Sequence, residues 1–180
     1  MKSLIKIVVF SVPLLAMMSV SCTRLDQYPP EPTIKFTQFE KLYNAVDSIY
    51  DRGILEFEYT DGDGDLGLDP GDTFPPFNYK SKYYYNLIID YYEVQNGVEV
   101  EVPLTYYNSG TQQYDTISLS ARIPVLEDKN VKRSISGDIF DTLFIYNYNS
   151  NFDTLFFKFY IVDRALHESN VEKTTYIVRK

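Results

Sequence analysis

The chain has 180 residues, 17 basic and 25 acidic side chains, a formal charge of −8, 17 tyrosines, 12 phenylalanines and a single cysteine. That length suffices for one domain with a sizeable core. An acidic balance with no basic stripe argues against nucleic acid as a partner, and one thiol offers no intrachain disulfide, so the domain must hold by core burial or by a metal.

Lys2 and Lys6 open an N-terminal leader whose apolar stretch runs from Ile7 to Met18, contains Pro13, and gives way to Ser19-Val20-Ser21 before Cys22. A positive start, a short apolar core and a polar continuation make residues 1–21 a secretion signal rather than a membrane span. The leader resembles bacterial lipoprotein signal peptides, with Ser19 where leucine is usual. The resemblance implies lipidation of Cys22, cleavage that makes it the new N-terminus, and a membrane contact made through lipid. Because Thr23 rather than aspartate follows, it also implies sorting to the outer membrane, on a face that the sequence leaves open. An ordinary cleaved signal with an incidental thiol is the alternative. Without Lys2 and Lys6 the remaining chain has 15 basic against 25 acidic side chains, a formal charge of −10. Two or more acyl chains, at about 0.8 kcal/mol per buried methylene, attach stably where one is marginal.

Residues 22–33 carry Pro29, Pro30 and Pro32. Such a segment is a tether, extended at about 3.1 Å per residue and so able to hold a domain roughly 30 Å from a bilayer.

Residues 34–180 form a single domain with no internal repeat. From Phe36 to Tyr50 the apolar positions Phe36, Phe39, Leu42, Tyr43, Val46 and Ile49 fit a helical stripe, in a chain whose composition otherwise favours strands; both readings stand. Leu55 to Tyr59 alternates apolar and glutamate positions as a half-buried strand does. Tyr83 to Val94 and Val98 to Val102 flank Asn96-Gly97, the signature of a tight hairpin. Ile117 to Ile123 alternates cleanly, Leu143 to Tyr148 is a further candidate, Leu155 to Val162 is apolar on both faces like a central strand, and Thr174 to Arg179 is the expected last strand. Strands punctuated by turns, without alternating helices, predict an all-β, antiparallel, immunoglobulin-like β-sandwich.

The sharpest motif is Asp61-Gly-Asp63-Gly-Asp65-Leu66-Gly-Leu-Asp69-Pro-Gly-Asp72, with carboxylates at positions one, three, five, nine and twelve. These are the side-chain positions of an EF-hand calcium loop, but Leu66 stands where that loop needs glycine, position twelve is aspartate, and a strand precedes it. It is therefore similar instead to the Asp-x-Asp-x-Asp calcium loops of exported β-sandwich and repeat domains. Between Gly53 and Tyr79 lie seven acids and no lysine or arginine. A calcium ion would relieve that repulsion, with Asp61, Asp63 and Asp65 as main ligands and Asp69 or Asp72 closing the site. A solvated acidic loop is the alternative.

A second motif, Asp163-Arg-Ala165-Leu-His167-Glu-Ser-Asn170, resembles the loop before the last strand of bacterial immunoglobulin-like domains. Together with the acidic loop it is similar to a class of small Gram-negative β-sandwich lipoproteins, which implies fold and location but no activity. In an immunoglobulin-like order the two loops emerge at one end, so Asp163 is a further metal ligand from across the sheets. Turn capping by Asp163 and Asn170 is the alternative.

His167 is the only histidine and lies in no nucleophile motif, and no zinc cluster or phosphate loop is present. The sequence thus reads as a non-enzymatic, lipid-anchored, calcium-stabilised binding or structural module of the bacterial cell envelope. A carbohydrate-binding accessory lipoprotein of a glycan-uptake system is the competing reading, and a surface hydrolase a third. Paired tyrosines at 83–85, 91–92 and 106–107 place rings on both strand faces, one for the core and one for a protein or glycan partner.

Overall fold

The computed structural model describes residues 28–126 and 133–179. The leader, Cys22 and the first part of the tether lie outside the described residues. Two antiparallel sheets pack face to face. One has the order β1-β2-β7, from β1 (Thr33–Asn44), β2 (Ile49–Asp61) and β7 (Ile135–Phe144). The other has the order β10-β8-β3-β4, from β10 (Ile177–Val178), β8 (Thr154–Ile161), β3 (Leu87–Gln95) and β4 (Val98–Glu101), with the short β9 (Glu172–Lys173) also pairing β8. A separate hairpin joins β5 (Thr105–Asn108) to β6 (Gln113–Thr116). The chain is all-β and forms a β-sandwich. Among the described residues no helix is long and apolar enough to cross a membrane.

The core follows from alternation. Leu55, Phe57 and Tyr59 of β2 point inward against Leu155, Phe157, Phe159 and Ile161 of β8, and Leu87, Ile89 and Tyr91 of β3 complete the inner face of that sheet. Phe57 and Phe159 meet across the sheets with ring centroids 5.1 Å apart, and Phe39 meets Phe157 at 5.6 Å. Each fully buried ring is worth about 1.5–3 kcal/mol relative to exposure. The outer face of β8 is covered too. Phe156 is fully buried beneath Tyr92, which stacks on it at 5.0 Å, and Tyr176 at 5.7 Å.

Residues 36–50 form the end of β1, a turn at 45–48 and the start of β2, not a helix, and the helical spacing has a specific origin. Register shifts between Phe36 and Gln38 and between Leu42 and Tyr43 mark bulges, and a bulge moves the next residue onto the opposite face. Phe36 and Phe39, three apart, both pack on the core as a result. The Asn96-Gly97 turn is as predicted, with φ of 54° and 84° and Gln95 paired to Val98, the geometry of a type I′ hairpin.

Ile117–Ile123 does not form the expected strand. It makes one bridge, Ala121 to Leu87, and then the side chain of Asn86 takes both polar groups of Ile123, so a side chain stands where a neighbouring strand would. The strand expected at Leu143–Tyr148 ends at Phe144 and begins much earlier, at Ile135. Its inner face was disguised because Gly137 sits beneath the Tyr59 ring. Of the last strand expected at Thr174–Arg179 only β10 forms, since Thr174 bonds Phe157 through its backbone N–H and its hydroxyl oxygen and interrupts the edge between β9 and β10.

Candidate metal centre

β2 ends on Asp61, which is fully buried. One carboxylate oxygen of Asp61, Oδ2, accepts the Leu66 N–H at 2.8 Å and so closes the loop on itself. The loop then doubles back through two glycines that no other residue replaces easily. Gly64 has φ of 71° and a Cβ there would strike the Arg133 carbonyl, while a Cβ on Gly62 would strike the carbonyls of Tyr28 and Pro29. Clamped in this way, Asp61, Asp63 and Asp65 bring one ligand oxygen each to within 4.8 Å of one another.

The Oδ1 atoms of all three aspartates are buried and accept no hydrogen bond among the described residues. Burying a polar atom without a partner costs about 1–3 kcal/mol, and more when it is charged. Two ionised carboxylates at this spacing repel by roughly 3–4 kcal/mol at an effective dielectric near 20. No lysine, arginine or histidine among the described residues forms an ion pair with any of the three. Burial and this repulsion together raise two of the carboxyls. Burial first, then the neighbouring Asp63 and Asp65, push the Asp61 carboxyl up to about 6, against a pull from the Leu66 N–H. Asp65 is raised too, by burial and then by Asp163 and Asp63, while the backbone N–H groups of Arg164 and Ala165 pull the other way. Near neutral pH, protons no longer neutralise the cluster, and the donor set fits a hard divalent cation. A shell of calcium–oxygen contacts is roughly 4.6–5.2 Å across, so one ion reaches all three oxygens.

Asp69 and Asp72 lie in a different environment. Asp72 accepts both guanidinium arms of Arg164, at 2.5 and 3.2 Å, and the Asp69 N–H at 2.7 Å. Asp69 Oδ1 accepts the Gly71 N–H at 2.9 Å. Arg122 binds the carbonyls of Asp69 and Asp72, both at 3.1 Å, and that of Tyr84 at 2.8 Å. Two arginines distant in sequence thus organise this half of the loop.

Asp163, two residues beyond the end of β8, comes to the same end of the sandwich, close enough to raise Asp65. Its side chain is buried and holds the turn that follows: Oδ1 accepts the His167 N–H at 2.8 Å and Oδ2 lies 2.8 Å from His167 Nδ1. That contact raises the His167 imidazole above its ordinary range. Asn170 caps a different element, binding both backbone polar groups of Ile34 at 2.9 Å and so tying the start of β1 to this loop. The cluster therefore contains Asp61, Asp63 and Asp65, with Asp163 beside it, the Asp72 carboxylate paired to Arg164, and Asp69 held at its backbone carbonyl by Arg122. Sequence reasoning missed Arg164, although it directly follows Asp163, and missed Arg122.

Comparison with protein-family models, with curated proteins and with solved structures found no match.

Proposed function

We propose that this chain is a non-enzymatic, lipid-anchored β-sandwich module of the bacterial cell envelope, held at its acidic end by a calcium ion. The observation that carries the metal is the set of three buried, unpartnered carboxylate oxygens on Asp61, Asp63 and Asp65. Calcium is favoured over magnesium because it accepts six to eight oxygens in irregular geometry. In an immunoglobulin-like order the loop after β2 and the loop after β8 serve one ion together, with Asp163 as an outlying contributor. The role of the ion is structural. It replaces the repulsion within the loop with a bond network that ties β2 to β8 and, through the Tyr28–Pro29 carbonyls on Gly62, to the end of the tether.

The anchor reading rests on the leader and on Cys22. A thioether-linked lipid at Cys22 would place the domain at an outer membrane, with the Pro-rich tether as spacer. Cys22→Ala should abolish lipid labelling and move the protein from the membrane to the soluble fraction; a variant that still sediments with membranes contradicts the anchor. For the metal, calcium titration by calorimetry should give one site per chain, lost in Asp63→Ala.

A carbohydrate-binding role is the second reading. It is favoured by a tyrosine-lined cavity at the opposite end of the sandwich.

A further inference from the structure

At the end of the molecule away from the acidic loop, a cavity of about 410 Å³ opens between the β1–β2 turn and residues 146–153. This volume falls within the range of small-molecule sites. Its walls include three tyrosines, Tyr43, Tyr50 and Tyr146, together with Asn151, Asp153 and Arg179. Tyr43 meets Tyr50 edge-on at 5.3 Å and is 58% exposed, so its ring borders the opening.

The walls are fixed in advance. Arg179 is buried and donates to the carbonyls of Asn147 at 3.0 Å, Ser150 at 3.4 Å and Phe152. From the other side the buried carboxylate of Glu93 accepts Asn147 Nδ2 at 3.2 Å and the Ser150 hydroxyl at 2.6 Å. The loop between these two buried charges is thereby held in shape, and binding need not order it. Arg179 Nε–H, also buried, has no acceptor among the described residues.

We propose that this cavity binds a neutral saccharide. The charges select against the other ligand classes. Arg179 gives its Nη donors to backbone carbonyls, and Asp153 lies 3.8 Å from it, so the wall presents no surplus positive charge to an anion. The same pairing leaves no surplus negative charge for a cation. A purely apolar ligand would desolvate the Asn151 amide on the cavity wall without offering it a hydrogen bond. A pyranose ring has what the walls require, a C–H face for tyrosine rings and hydroxyls for planar amide and carboxylate groups. Tyrosine offers this contact at little entropic cost.

The test is a titration of the isotope-labelled protein followed by NMR. The probes are glucose, galactose, mannose, N-acetylglucosamine and their disaccharides, with inorganic phosphate as the anionic control, each to about 50 mM, a range that detects weak single-site binding. At least one saccharide should shift the resonances of Tyr43, Tyr146 and Asn151. Tyr43→Ala, at an exposed position that leaves the fold intact, should weaken that binding about tenfold, as should Asn151→Ala. The proposal is overturned if no saccharide shifts these resonances, if phosphate does so instead, or if Tyr43→Ala binds as tightly as the parent while its melting curve is unchanged.

Discussion

The acidic loop has two halves of similar composition and opposite electrostatic solution. In Asp61–Asp65 three carboxylates converge, each with one buried oxygen that no hydrogen bond satisfies. In Asp69–Asp72 the same residue type is met by Arg164, by neighbouring backbone N–H groups and, at its carbonyls, by Arg122. Charge density does not tell the two apart. What does is whether the fold has supplied a cation of its own. Where it has, the carboxylate is a structural partner; where it has not, the carboxylates converge as a set that could chelate a divalent cation. The difference teaches that an aspartate-rich run should be divided by its partners before it is read as a metal loop.

Metal removal should separate the halves most strongly. A ligand that binds only the folded state contributes about 2.7 kcal/mol at a hundredfold excess over Kd, which for a chain of this size is a fall of roughly 5–10 °C in melting temperature on chelation. Asp63→Ala should show one melting temperature with or without chelator. The second contrast comes from Arg164→Ala. It strips Asp72 of a bidentate, partly buried partner and should cost about 1–3 kcal/mol in calcium and in chelator alike, with calcium affinity little changed. An Arg164→Ala variant that loses calcium binding outright would erase the distinction between the halves.

Titration sharpens the comparison further. The Asp61 carboxyl is raised from 3.8 to about 6 in the folded chain, so between these values the folded state holds a proton that the unfolded state has released. Stability in chelator is therefore greatest below the lower value and falls as pH rises through about 6, by on the order of 1–2 kcal/mol. Calcium favours the ionised form and should reverse the slope over the same window. Thermal melts at pH 5 and pH 7, with and without calcium, measure this, and parallel slopes in both conditions would count against shared occupancy by proton and metal. The smallest effect is expected from Asp69→Ala, which loses the bond to the Gly71 N–H at an exposed turn: about 0.5–1 kcal/mol by denaturant melt, with calcium affinity intact.

Much of the sandwich was legible because Leu55–Tyr59 alternates without interruption and Leu155–Val162 is apolar on both faces, as a central strand is. The hairpin at Asn96-Gly97 was legible from two residues that tolerate positive φ. Where sequence reading failed, a side chain or a bulge had replaced the regular ladder. Asn86 imitates a strand beside Ile123, Thr174 splits the last edge, and the bulges in β1 give a strand the spacing of a helix. β7 was half hidden because its inner face needs Gly137 under Tyr59 and so loses an apolar position. At the site, the three carboxylates and the approach of Asp163 followed from local spacing and strand order. The roles of Arg122 and Arg164 did not, because Arg122 lies 53 positions along the chain from Asp69 and Arg164 lies 92 from Asp72, a pairing that only the fold creates.

The central claim is that Asp61, Asp63 and Asp65 hold a calcium ion that the rest of the loop does not need. Isothermal calorimetry of the metal-free protein against calcium chloride, run alongside Asp63→Ala and Asp72→Asn, tests it most directly. The account predicts one site per chain in the parent, none in Asp63→Ala, and a site of nearly parental affinity in Asp72→Asn. Absence of binding heat at millimolar calcium, with a melting curve that ignores chelator, would show that the buried carboxylates are neutralised without a metal and contradict the account.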